Sequence, residues 1–141
     1  MTSQLNVDTI VDKAGSGGTN IKVGNDATYV AEGGSANSNN LVQGLAKSWV
    51  NLNGTGTIAT RDSLNVGSIV DDGTGFYVIN TSSALANDDY SVTSGAEISA
   101  SFTASKTRVS STSQYKIDTH NAAGSWQDAV AVFGTAHGDL A

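Results

Sequence analysis

The side chains that could carry out catalysis are few and scattered. The histidines are His120 and His137, and Ser125 and Asp128 lie close to His120 in the sequence. A nucleophile needs a base within hydrogen-bond reach and a third group that orients this base, which closeness in sequence does not supply. Serines are common in this chain, so such neighbours arise by chance. We therefore predict that both histidines are surface residues and that the chain is not an enzyme.

Two adjacent carboxylate pairs, Asp71–Asp72 and Asp88–Asp89, are the candidate ligands for a metal. Hard cations such as calcium favour clustered oxygen atoms. The spacing of these pairs does not follow the order of an EF-hand, however, and an Asp-Gly hairpin needs no ion. We predict turn residues and no cofactor, with bound calcium as the alternative. The loops Gly15-Ser-Gly-Gly and Gly54-Thr-Gly lack the Gly-Lys-Ser/Thr sequence that cradles phosphate, and we interpret them as turns.

The aromatic residues could stack on sugars or anchor an interface. Trp49 and Phe76 occur at apolar positions of alternating patterns, which favours the core. Trp126 follows a polar loop, residues 119–125, and opens the last predicted strand. If the chain contacts a host surface, the predicted contacts are in and around this loop: Tyr115, His120, Asn121 and Trp126. The alternative is that Trp126 only caps the end of the domain.

Composition and charge exclude several classes of function. The net charge is −6 and the few basic residues are scattered, so the chain lacks the basic stripe that nucleic-acid binding requires and no polybasic membrane attachment is expected. Without cysteine there is no disulfide framework. The first residues lack the pattern of a signal peptide, and no apolar stretch is long enough for a membrane span. We expect a protein folded in a cytoplasm.

The alternation of apolar and polar residues predicts an all-β protein. Short strands recur about every ten residues beyond Ala46, the spacing of an antiparallel β-sandwich or small barrel. The Asp71–Gly75 segment predicts a hairpin turn. The apolar run Ala129–Phe133, within a strand predicted over 126–133, indicates a buried central strand. A further strand is predicted over 96–104.

The N-terminal third predicts a separate, extended β arm. Residues 4–11 alternate as a strand, whereas residues 31–40 contain no side chain large enough to anchor a core. We place the boundary between an attachment segment, 1–43, and a β domain, 44–141. After Asn40 we predict either a single helical turn or a plain loop. The apolar residues predicted to serve assembly or attachment are Leu5, Val7, Ile10, Leu41 and Leu45.

Residues 46–92 carry the most specific pattern of the chain. The segment reads Ala46-Lys-Ser-Trp-Val-Asn-Leu-Asn-Gly-Thr-Gly-Thr, then Arg61-Asp-Ser-Leu-Asn-Val-Gly-Ser-Ile-Val-Asp-Asp-Gly-Thr-Gly-Phe-Tyr-Val-Ile-Asn, and then Asn87-Asp-Asp-Tyr. It resembles a block of bacteriophage tail-fibre and virion-appendage proteins, as does Leu5-Asn-Val-Asp-Thr-Ile more loosely. The resemblance implies a β-sandwich-like domain, three-fold assembly, docking through the N-terminal segment and, in some members, receptor recognition through distal loops.

The chain departs from this family by its shortness and because the residues after Gly95 do not match the block. The resulting hypothesis is a phage structural protein: a homotrimeric short fibre or appendage, attached to neighbouring virion proteins through residues 1–43. It would be assembled in the host cytoplasm, possess no catalytic site, and expose its β domain for recognition of a host-surface glycan or protein. The alternatives are a capsid decoration or cement protein and a glycan-binding β module; a small hydrolase or lyase is a third class.

Overall fold

A computed structural model describes residues 28–30, 38–40, 44–97, 103–139 and 141 of the chain. Within these residues the protein is all-β. Among them there is no helix with the length and apolar character needed to cross a membrane. The strands are β1 (Thr28–Val30), β2 (Ser38–Asn40), β3 (Ser48–Asn53), β4 (Ala59–Leu64), β5 (Val66–Gly73), β6 (Phe76–Thr81), β7 (Ser91–Glu97), β8 (Thr103–Ser111), β9 (Gln114–Asn121) and β10 (Ala131–His137).

The chain divides into two units, residues 1–42 and 43–141. In the first unit, β1 and β2 pair antiparallel, with Thr28 opposite Asn40. The strand predicted over 4–11, residues 41–43 of the helical turn or loop predicted over 40–47, and four of the predicted attachment residues lie outside the described residues. These four are Leu5, Val7, Ile10 and Leu41. The fifth, Leu45, belongs to the second unit, where 58% of its surface is exposed.

The second unit is a β-sandwich of two four-stranded sheets. The strand order is β4-β3-β10-β7 in sheet I and β5-β6-β9-β8 in sheet II. All neighbouring strands in both sheets are antiparallel. The predicted all-β antiparallel fold is therefore confirmed, and of the two forms considered the structure corresponds to the sandwich.

The core lies between the sheets and is built by alternate residues of the central strands. These core residues are Val50 and Leu52 of β3, Tyr77 and Ile79 of β6, Tyr115 and Ile117 of β9, and Val132 and Ala136 of β10. Because successive side chains of a strand point to opposite faces, Trp49 faces outward and is only half-buried. The prediction that Trp49 belongs to the core is wrong, since Val50 and Leu52 occupy the inward positions.

Sequence and structure agree on the Asp71–Gly75 hairpin and differ on the last strand. The Asp71 carboxylate accepts a hydrogen bond from the Gly73 amide at 3.1 Å, and Gly73 and Gly75 both have positive φ. β10 is central and largely buried, as predicted, but it begins at Ala131 instead of Trp126. Residues 126–130 instead form a connection tied to the β5–β6 turn. Of the strand predicted over 96–104, the first two residues belong to β7 and the last two to β8, and residues 98–102 lie outside the described residues.

Candidate functional site

The outer face of sheet II carries the clearest cluster of exposed chemical groups. Tyr115 and Ile117 of β9 are buried in the core, so the intervening side chains point away from it. The register places Phe76 of β6 and Lys106 of β8 on either side of Asp118 of β9. The three residues thus form one row across the outer face.

Three rings form an aromatic cluster at one end of this face: Phe76, His120 and Trp126. The Phe76 and Trp126 ring centroids are 4.5 Å apart with the planes tilted by 44°. The His120 ring meets Trp126 edge-on, at 5.5 Å and 80°. Trp126 nevertheless remains 48% exposed. The indole is therefore fixed by two neighbouring rings while part of its surface stays open to solvent.

Asn121 organises the loop that brings Trp126 next to His120. Its side-chain oxygen accepts hydrogen bonds from the amides of Ala123, at 3.0 Å, and Ser125, at 3.1 Å. Its backbone amide donates to the Ser125 carbonyl at 2.9 Å. Gly124 supplies the positive φ, 80°, that the reversal requires. The loop closes with an antiparallel bridge between His120 and Trp126.

A second set of hydrogen bonds holds the base of the loop against the β5–β6 turn. The Gly75 amide donates to the Asp128 carboxylate at 2.7 Å, and the Thr119 amide donates to the Gly75 carbonyl at 2.8 Å. The Thr119 hydroxyl donates to the Gln127 carbonyl at 2.6 Å. A methyl group at Gly75 would overlap the Thr119 carbonyl oxygen and the Gln127 backbone. The aromatic cluster therefore lies next to closely packed backbone of the β5–β6 turn and of Thr119 and Gln127.

Charged side chains lie beside the cluster on the same face. Arg108 forms a 3.0 Å ion pair with Asp118, whose side chain is only 3% exposed, and Lys116 forms a 3.2 Å ion pair with Asp72. Both carboxylates are therefore neutralised by a partner on this face. Lys106 is exposed, and no ion pair is found for it among the described residues.

Three of the four predicted surface contacts come together and the fourth does not. Trp126, His120 and Asn121 form the cluster and its loop. Tyr115 lies in the core with no exposed surface, its hydroxyl 3.3 Å from that of Ser48, and burial raises the pKa of this phenol. A direct surface role for Tyr115 is therefore wrong, because no ligand can reach its ring.

The prediction that Phe76 belongs to the core is wrong, because Tyr77 and Ile79 of the same strand occupy the inward positions. Lys106 is not among the predicted contacts of this face. The pattern did contain a signal for Phe76. Adjacent residues of a strand cannot point to the same side, so once Tyr77 and Ile79 define the inward face, Phe76 must lie outside. No local signal pairs Lys106 with the cluster, because its place depends on the β8–β9 register.

A second feature is an apolar patch on the outer face of sheet I, formed by Trp49, Leu64 and Phe133. Leu64 is directly opposite Trp49. Phe133 lies diagonally from Trp49, because Trp49 pairs with Thr135 and Asn51 pairs with Phe133. Leu64 is 47% exposed and Phe133 is 41% exposed. Large apolar side chains thus share one face that the described part of the chain leaves open.

Among the groups considered for catalysis and metal binding, Asp128, Asp71 and Asp72 have other contacts. The Asp128 carboxylate hydrogen-bonds the Gly75 amide, and His120 Nδ1 is buried with no hydrogen-bond partner. Asp71 caps the hairpin turn, whereas Asp72 pairs with Lys116. Within the described ranges, no three His, Asp or Glu side chains are grouped so that they could hold a metal ion.

Comparison of the chain with known protein families, with curated proteins and with solved structures found no match. A proposed function therefore rests on the geometry of the two sheet faces and on the resemblance of residues 46–92.

Proposed function

We propose that this chain is a structural protein of a bacteriophage virion: a homotrimeric short fibre or appendage that attaches through residues 1–43 and exposes the β domain of residues 44–141. Its work is assembly and contact, without catalysis. The block that resembles phage appendage proteins, residues 46–92, spans the four strands β3 to β6 and therefore contributes to both sheets of the sandwich. The protein would be assembled into particles in the host cytoplasm.

The observation that carries the proposal is the apolar patch on sheet I. Single exposed apolar residues are ordinary, but large ones grouped on one face indicate an interaction surface. Trp49, Leu64 and Phe133 project from three neighbouring strands of the same sheet. Neighbouring subunits around a three-fold axis would cover these side chains, which supports self-assembly as the reason for their position.

The edges of the two sheets support the same proposal. Strands β4 and β7 are the outermost strands of sheet I, and β5 and β8 are those of sheet II. An edge strand presents unpaired backbone groups that can join another chain. In a trimer, subunit contacts cover such edges in a defined way and so prevent open-ended association.

The mass of the full chain in solution tests the assembly, measured by size-exclusion chromatography with light scattering. We expect a trimer. Leu64→Asp should weaken it, because the substitution places a charge in the apolar patch. Ala86→Asp is the control, because it adds the same charge at an exposed position between β6 and β7, outside the apolar patch and outside the edge strands. A monomeric wild-type protein, or equal effects of both substitutions, would contradict this assembly.

The position of the chain on intact particles tests the biological role. Immunogold labelling should place it on a fibre or other projecting appendage. Labelling spread evenly over the capsid would favour the alternative, a decoration protein, which could use the same apolar patch. Particles that lack the chain would contradict both forms of the proposal.

A further inference from the structure

We propose that the aromatic cluster and Lys106 together form a binding site for an acidic glycan, a polysaccharide whose sugars carry carboxylate groups. The inference rests on the proposed function, since it gives a ligand class to host-surface recognition by an appendage. It concerns the outer face of sheet II, whereas self-assembly was assigned to the outer face of sheet I.

The aromatic cluster presents a surface on which a sugar ring could stack. A sugar ring presents a flat face of C–H groups that packs on an exposed aromatic surface. Trp126 offers such a surface, 48% exposed, while Phe76 at 4.5 Å and His120 at 5.5 Å fix its orientation. Because Asn121 holds the loop by several hydrogen bonds, little conformational freedom is lost when a ligand binds.

The outer face of sheet II also carries charged side chains. Its strands carry the cations Lys106, Arg108 and Lys116 and the carboxylates Asp72 and Asp118, and four of these charges form two ion pairs. The Asp128 carboxylate, at the base of the loop, accepts a hydrogen bond from the Gly75 amide. Among the described residues, no ion pair is found for Lys106. An exposed cation of this kind beside an exposed aromatic surface is complementary to an anionic, ring-containing ligand.

The distance between the aromatic cluster and Lys106 follows from the strand register. Phe76, Asp118 and Lys106 are opposite one another on the neighbouring strands β6, β9 and β8. Neighbouring strands are about 4.8 Å apart, which places the backbone of Lys106 about 10 Å from that of Phe76. Two neighbouring sugars of a polysaccharide can span a distance of this order.

This face fits a glycan better than a nucleic acid. Single-stranded nucleic acids also stack on aromatic side chains, but they need a cationic groove that follows the backbone. Here one cation has no ion pair among the described residues, and each phosphate contact needs its own cation. The carboxylate of one acidic sugar requires no more than Lys106 provides.

The test is calorimetric titration of the full chain with oligogalacturonate, a carboxylated probe, and with neutral oligogalactose of the same length. We expect binding of the carboxylated probe, weakened by salt, and much weaker binding of the neutral probe. Oligothymidylate is the nucleic-acid control. Absence of oligogalacturonate binding, or equal binding of the neutral probe or of oligothymidylate, would overturn the inference.

Two substitutions locate the site. Lys106→Gln should reduce oligogalacturonate affinity about tenfold, the scale of one charge-assisted contact at an exposed position, and should remove most of the salt dependence. Lys13→Gln is the control, because it makes the same change of residue and charge in the unit of residues 1–42, outside the β domain. Equal losses in the two variants would overturn the assignment of the charge to Lys106.

Trp126→Ala should reduce affinity for oligogalacturonate at least tenfold, and Trp126→Tyr should restore part of it, because a flat ring returns. Circular dichroism and the melting temperature report whether each variant is folded. Full affinity in a folded Trp126→Ala variant would overturn the site. A trimer located on particles that ignores the probe would overturn this inference alone. A monomer that binds the probe would overturn the assembly and leave the glycan site in place.

Discussion

The hydroxyl oxygen of Tyr115 lies 3.3 Å from that of Ser48, so a side chain of β9 in sheet II reaches one of β3 in sheet I through the interior of the sandwich. Both residues have no exposed surface. The contact connects the two sheets by a buried polar pair. An unpaired buried hydroxyl destabilises a fold, so this pair affects both the stability and the relative placement of the sheets.

Substitution of Tyr115 tests this contact. Tyr115→Phe should lower the free energy of unfolding by about 1 kcal/mol, because Ser48 loses its buried partner. Tyr115→Ala should lower it by about 3–5 kcal/mol, since it also leaves a large cavity. Urea titration followed by circular dichroism measures both values. A change below about 0.5 kcal/mol in Tyr115→Ala would contradict the core position. A loss of host adsorption in that variant would reflect unfolding.

Replacement of Gly75 tests the mounting of the aromatic cluster. Gly75 has a φ of 76°, and an added methyl group would overlap the Thr119 carbonyl oxygen and the Gln127 backbone. Gly75→Ala should therefore destabilise the fold by about 2–4 kcal/mol, the sum of backbone strain and overlap. The same measurement should find about 1 kcal/mol for Gly124→Ala, whose φ is 80° and whose surroundings are open. Equal costs would mean that the overlap at Gly75 is relieved.

Removal of Arg108 tests its ion pair with Asp118. Arg108→Ala leaves a carboxylate that is 3% exposed without its ion-pair partner, so we expect a loss of about 1–3 kcal/mol in the free energy of unfolding. The matched control is Lys116→Ala, whose partner Asp72 is 55% exposed. An exposed pair contributes about 0–1 kcal/mol. Thermal and urea unfolding of both variants should rank Arg108→Ala as the less stable, and the reverse order would contradict this account of the pair.

The sequence predicted the class of fold and the Asp71–Gly75 turn because both depend on local patterns. The alternation of Val50 and Leu52 gives the buried side of the strand, and Asp71-Asp-Gly marks its own turn. The prediction for Trp49 is wrong because Trp49 lies one residue out of phase with Val50 and Leu52, and the strand period of two decides which side chains point inward.

The candidate site was predictable only where it depends on one loop. Trp126, His120 and Asn121 are near in sequence, and a polar loop before an exposed aromatic residue is a local signal. Phe76 and Lys106 join them only through the pairing of β6 and β8 with β9. Strand order is a property of the whole chain, so no window of sequence contains it. Tyr115 was misplaced for the opposite reason, since closeness in sequence to the loop suggested a shared surface.

The stability of the fold should fall at alkaline pH because of Tyr90. Burial, followed by the nearby Tyr115 and the charge of Asp88, raises the pKa of Tyr90 from 10.0 to about 12. Its hydroxyl lies 2.9 Å from the Ser111 carbonyl oxygen and 2.7 Å from that of Gln114. A raised pKa means that the folded state keeps a proton that the unfolded state releases. The stabilisation is therefore complete below about pH 10 and is lost as the pH rises through about 12.

Urea titrations between about pH 9 and 12 measure this loss. Burial also raises the pKa values of Tyr77 and Tyr115, so these residues contribute to the loss in the same direction. Tyr90→Phe should be less stable than the wild type at neutral pH, because the Ser111 and Gln114 carbonyl groups lose a donor. Its stability should then fall less steeply with pH, since the phenol responsible for part of the slope is absent. Identical slopes in the two proteins would show that Tyr90 is not the group that titrates.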